Sequence, residues 1–148
     1  MATPSPLSPQ DHLDITELIH RLCHALDFGR PEEFVACFVA DGRYSAVSSE
    51  ATGLETRFSH RGRGELEAFA QSAIEKRHGL GRHWTGNLIV RPSGPTRDRA
   101  EATSYVLFVE IDPESGERRI AISGTHRDEL VRTPDGWRLR SRTVVADL

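Results

Sequence analysis

The sequence predicts an α+β domain whose helices sit in its first half and whose largely antiparallel sheet fills the second. Apolar residues recur at three- and four-residue spacing in segments before residue 78, the signature of amphipathic helices. Four long strand-like runs then follow one another with no helix between them. They are separated by SGPTRD, DPESGE and TPDG, whose Gly, Pro and Asp content marks hairpin turns. Helices gathered before such a sheet must bury their apolar stripes on one of its faces.

The opening MATPSPLSPQ carries three prolines and two serines in its first nine residues, so residues 1–10 read as a mobile arm and residues 11–148 as a single domain. From Asp11, the residues Ile15, Leu18, Ile19, Leu22 and Leu26 form one apolar stripe, and Gly29 ends the helix. Pro31 suits the first position of a second helix. Glu32 and Glu33 complement its positive end, and Phe34, Cys37 and Phe38 supply its buried face before Asp41-Gly42 stops it. Arg43 to Val47 and Thr56 to His60 read as short paired strands. Gly62 and Gly64 then punctuate the approach to a third helix from about Glu65 to Lys76. The remaining strands span Arg82 to Arg91, Ala100 to Ile111, Arg118 to Arg132 and Gly136 to Val145.

Nineteen basic against 22 acidic residues give a net charge of −3, a field with nothing to attract a phosphate backbone or an anionic membrane. No segment reaches membrane-spanning length and none looks like a leader, so the expectation is a cytoplasmic protein without nucleic-acid or membrane partners. Cys23 and Cys37, both inside apolar patterns, read as buried thiols rather than a disulfide. No Gly-rich phosphate loop follows a strand, and no Ser or Cys sits in a nucleophile elbow.

Two residues defy local preference. Asp27 lies in the last turn of the first helix, where the negative end of the macrodipole disfavours a carboxylate by about 0.3–1 kcal/mol. It stands at the edge of the apolar stripe, one turn above Cys23 and two above His20. It is either a general base or imidazole anchor, or an acid fraying into solvent beside Gly29. His83 opens the run GRHWTGNLIV. Regular alternation puts His83, Thr85 and Asn87 on one face and Trp84, Leu88 and Val90 on the other. That polar row is either solvent-exposed or, under covering helices, the lining of a cavity.

Tyr44, Tyr105 and His126 carry polar tips on strands and either reach that cavity or cap the core. Arg138, Arg140 and Arg142 alternate along the last strand and read as its solvated or partner-facing side. His20 and His24 are one turn apart but lack a third firm ligand, so no metal is expected.

The stretches ITELIHRLCHALDFGRPEEFVACFVADGRY, GRHWTGNLIV and SGTHRDELVRTPDGWRLRSRTV together resemble the SnoaL-like branch of the NTF2-like superfamily, including its scytalone dehydratase-like and polyketide cyclase-like members. The resemblance implies a cone: a curved sheet wrapping a long helix around an open-mouthed pocket, often with a second subunit on the outer sheet face. It places Asp27 and His83 where scytalone dehydratase-like members hold a catalytic Asp–His pair. Leu26 replaces the tyrosine that precedes that acid in many relatives, and Thr103-Ser104-Tyr105 stands where a second histidine occurs. Ketosteroid isomerase-like chemistry is disfavoured, because Leu22 and Ala46 replace its oxyanion-hole tyrosine and basic aspartate.

The implied protein is a cofactor-free dehydratase, isomerase or cyclase acting on a small cyclic or polyketide-like molecule. Asp27 and His83 would be catalytic in a pocket lined by Tyr44, Phe58, Trp84, Asn87, Tyr105 and His126. It would assemble as a homodimer or higher homo-oligomer. The alternative is a non-catalytic binding or structural subunit, resembling the small subunit of ring-hydroxylating dioxygenases.

Overall fold

A computed structural model describes residues 5–49, 51 and 53–147. The elements run α1 (Pro9–Phe28), α2 (Pro31–Val35), β1 (Phe38–Val47), β2 (Thr56–Arg61), α3 (Gly62–Arg77), β3 (Gly81–Pro92), β4 (Arg99–Ile111), β5 (Arg118–Thr133) and β6 (Gly136–Ala146). One six-stranded sheet has the order β2-β1-β6-β5-β4-β3, antiparallel throughout except for the parallel pair β1–β6. Its curved inner face packs on the helices, giving the NTF2-like architecture. Among the described residues no helix is long and apolar enough to cross a membrane.

Helix α1 starts earlier than the sequence suggests. Ser8 caps it through a reciprocal box with Asp11, and Pro9 occupies the first turn. Asp11 also accepts from Trp137 Nε1 at 3.1 Å and pairs with Arg132 at 2.5 Å, tying the helix start to the far end of the sheet. Leu7 packs on the core, so of the expected arm residues 5–10 belong to the domain and residues 1–4 lie outside the described residues. Helix α2 is shorter than its apolar pattern predicts. Phe38 already pairs with Leu139, because the sheet draws the chain into β1 before Asp41-Gly42.

The core joins Ile15, Leu18, Ile19 and Leu22 of α1 to Phe34, Leu66, Ala102, Leu130 and Leu139. Burying side chains of this size contributes about 1.5–3 kcal/mol each. Cys23 and Cys37 are buried free thiols, and burial pushes the Cys37 pKa up to about 11.

Two β-bulges decide which side chains face the helices. In β3, Gly86 pairs with Tyr105 and Ile89 with Thr103, so three steps on β3 span two on β4. The extra residue falls at Asn87, whose φ of 52° is left-handed. In β6, Ser141 pairs with Glu129 and Leu139 with Leu130, leaving Arg140 as the extra residue. Each bulge reverses the inside–outside alternation beyond it.

Candidate active site

The last turn of α1 and the first half of β3 bring Asp27 and His83 together. One carboxylate oxygen accepts from the His83 backbone N–H at 2.8 Å, and the other is hydrogen-bonded to His83 Nδ1. Their side chains are only 4 % and 7 % exposed. Asp27 therefore does not fray into solvent; β3 satisfies it with two N–H groups that the helix end lacks. His83 also packs on Phe108, ring centroids 4.4 Å apart. Phe108 needs Gly81 opposite it, since a Cβ there would lie 2.5 Å from its ring.

Burial lowers the His83 pKa, and the Arg77 and Arg142 charges act in the same direction against the opposing pull of Asp27. The imidazole is thus neutral near pH 7. With Nδ1–H donating to Asp27, the lone pair lies on Nε2, and no described residue hydrogen-bonds to it. This arrangement is that of a general base held in one tautomer.

Further polar groups share the inner face. His126 on β5 is 2 % exposed and pairs in register with Ser104 on β4, itself fully buried. Among the described residues, His126 Nδ1 and Ser104 Oγ have no hydrogen-bond partner. Leaving such groups unmatched costs about 1–3 kcal/mol each. Burial holds the His126 pKa well below its ordinary value, helped by the charge of Arg142. Deeper in the sheet, Arg142 on β6 makes two 2.7 Å hydrogen bonds to Asp128 on β5, with both side chains 1 % exposed. Tyr44 on β1 pairs with Arg142 across the parallel strands and packs on Phe58 at 5.4 Å, and burial pushes its hydroxyl pKa up to about 12. Cys23 Sγ lies 3.4 Å from the Thr85 hydroxyl.

Of the residues expected to line a pocket, Tyr44, Phe58 and His126 face the interior with the Asp27–His83 pair. Trp84, Asn87 and Tyr105 do not. Trp84 and Tyr105 are 66 % and 61 % exposed on the outer sheet face. Trp84 alternates with His83, and Tyr105 with the inward Ser104 and Val106, so both face out by regular pleating; at the bulge Thr85 still points in, Asn87 turns out, and Leu88 and Val90 return to the core. Trp84, Asn87 and Tyr105 do meet, in an outer groove of about 520 Å³.

The expected outward position of Arg142 is likewise corrected, because the bulge at Arg140 carries it inside. His20 and His24 are exposed, and His24 packs edge-on against Phe28. The Asp27 and His83 side chains are mostly covered by their neighbours. Beside them, a cavity of about 680 Å³ lies between α3 and the β4–β5 hairpin and is bordered by Arg77.

Sequence reasoning missed the Asp128–Arg142 pair and Arg77. The first needed the bulge. The second is one arginine among many, with nothing in its neighbourhood to single it out. Ser104 was legible only as the residue standing where related sequences carry a second histidine.

Solved structures with this fold include an NTF2-like protein with a cystatin-like fold from Novosphingobium aromaticivorans (25 % identity, TM-score 0.78, 93 % of this chain and 82 % of that one). A protein assigned provisionally as a scytalone dehydratase from the same organism is 19 % identical, with a TM-score of 0.76 over 95 % of this chain and 89 % of its own. The beta subunit of a provisionally assigned aromatic-ring-hydroxylating dioxygenase, again from that organism, is 24 % identical, with a TM-score of 0.74 over 92 % and 88 %. No curated protein matches the sequence. The family model of the SnoaL-like domain matches residues 8–143, and the chain belongs to that family.

Proposed function

We propose that the protein is a cofactor-independent lyase or isomerase in which Asp27 and His83 carry out general acid–base chemistry on a small cyclic or polyketide-like molecule. The observation that carries this reading is the double hydrogen bond that fixes a buried neutral imidazole with Nε2 free. His83 Nε2 removes a proton from a carbon next to a carbonyl. The resulting imidazolium, stabilised by Asp27, returns that proton to the departing hydroxyl as the carbon–oxygen bond breaks, releasing water. In an isomerisation the same proton goes back to a different carbon.

Ser104 Oγ and His126 Nδ1, which lack partners among the described residues, would hold the substrate's oxygens. Tyr44 and Phe58 supply apolar and aromatic surface.

The test uses 3-hydroxy-1-tetralone, whose dehydration gives fluorescent 1-naphthol, and 2-tetralone, whose α-protons exchange with D2O. Asp27→Asn and His83→Gln are each expected to lower the rate of one or both reactions by about 10²-fold or more. Wild-type rates in both variants would rule the mechanism out.

A second reading is favoured by the outer face, where Trp84, Ile89, Tyr105, Leu107 and Ile120 are exposed. Here the chain is a non-catalytic subunit whose outer sheet face meets another copy or a larger partner. A monomeric mass in solution together with inertness toward both ketones would leave neither reading standing.

A further inference from the structure

The fully buried Arg142 is matched to Asp128, and the more exposed Arg132 and Arg119 pair with Asp11 and Glu110. Arg77, the last residue of α3, is different. It is half-buried, yet its one hydrogen bond among the described residues is a long 3.5 Å contact from Nη1 to the Leu26 carbonyl oxygen. Otherwise it rests on the Phe108 ring, with Cζ 4.2 Å from the centroid. A guanidinium presents five N–H donors in a planar fork, and leaving most of them unmatched away from bulk water is costly.

Arg77 borders the cavity of about 680 Å³ between α3 and the β4–β5 hairpin. Phe69, Ala73, Leu80 and Ile111 give that cavity an apolar wall. Two of its carboxylates are already committed. Glu110 is paired with Arg119 at 2.6 Å, and Asp112 accepts from the Glu114 and Ser115 backbone N–H groups and the Ser115 hydroxyl, which shape the hairpin turn. Glu117 is the remaining acid of the rim, and Lys76 is a further cation of the same cavity. The cavity therefore combines apolar walls with a fork of unfilled donors, the complement of a carboxylate on an apolar skeleton.

We infer that this cavity binds the carboxylate of an apolar organic acid, with Arg77 as the residue that recognises it. Arg77 covers the Phe108 ring, and Phe108 in turn packs on His83, so a carboxylate seated on Arg77 lies at the threshold of the Asp27–His83 pair. That the acid belongs to the substrate of this pair rests on the function proposed above; that the cavity prefers carboxylates does not.

Calorimetric titration of the whole protein with 2-naphthoate and 2-naphthamide separates the two statements. The carboxylate is expected to bind about 10-fold or more tightly than the amide, with a Kd below about 1 mM. Arg77→Gln, checked for an unchanged melting temperature, should erase the preference, and Arg77→Lys should keep only part of it, because an ammonium lacks the planar fork. His83→Gln should leave the preference intact. Equal affinities for acid and amide, a preference that survives in Arg77→Gln, or naphthoate binding weaker than about 1 mM would each overturn the inference. Loss of 1-naphthol release in wild type with the naphthoate preference intact would instead count only against the dehydratase reading.

Discussion

Two buried acid–base pairs face the interior of this cone, and they differ in one partner. In the Asp128–Arg142 pair, burial alone would favour a neutral guanidinium, but the carboxylate outweighs it and pushes the arginine pKa up, so the guanidinium stays charged. In the Asp27–His83 pair, burial wins over the carboxylate and the imidazole stays neutral with one nitrogen available. The same acid thus makes a fixed brace in one place and a proton handle in the other. Position follows the same division. The brace joins adjacent strands, whereas the handle joins a helix end to a strand across the fold.

The sharpest way to break this comparison is to remove one member of each pair. Asp128→Ala or Arg142→Met leaves a lone buried charge and is expected to cost about 3–5 kcal/mol in urea denaturation. The double replacement Asp128→Leu with Arg142→Met should recover most of that loss. Asp27→Asn is expected to cost much less stability while acting on turnover. If it proved as destabilising as Arg142→Met, the Asp27–His83 pair would be a brace as well.

A smaller effect is set by pH. His83 and His126 both have folded pKa values below that of an unfolded histidine, near 6.5. A depressed value means the unfolded chain binds protons that the native state refuses, so this contribution is complete above about pH 6.5 and is lost as pH falls below it. Between pH 6.5 and 5, denaturation free energies should decline by up to about 1.4 kcal/mol per pH unit for each of the two groups. His126→Gln should flatten the slope, and a slope unchanged in that variant would mean His126 is protonated in the native state. The smallest effect is expected at Ser104. Ser104→Ala removes an unpartnered buried hydroxyl and should leave stability within about 1 kcal/mol of wild type or raise it, while weakening KM for the ketone probes.

The fold was legible because hydrophobic spacing and turn chemistry are local. The four long strands fall within about two residues of their expected bounds, and α1 ends at Gly29 as expected, although its Ser8 cap lies in the stretch read as an arm. Asp27 and His83 were legible as local misfits, a carboxylate at the wrong end of a helix and an imidazole opening an apolar strand. Trp84 and Tyr105 were assigned to the pocket although plain alternation sets them opposite His83 and Ser104, whereas Asn87 and Arg142 were misplaced for a single reason. Period-two alternation assumes one residue per ladder step, and nothing in the residues around Asn87 or Arg140 announces the extra one. Arg77 and the Ser104–His126 pair depend on strands and helices distant in sequence, which no local pattern encodes.

The bulge at Asn87 also constrains how this protein can change. Deleting that one residue would restore an even zigzag, and every side chain from Leu88 onward in its strand would exchange water for core or core for water. Substitutions in the strand adjust one contact at a time; a single-codon gain or loss there acts on the whole segment, as a shifted reading frame acts on a message. Divergence of this scaffold around its histidine strand should therefore proceed by jumps in length as well as by gradual replacement.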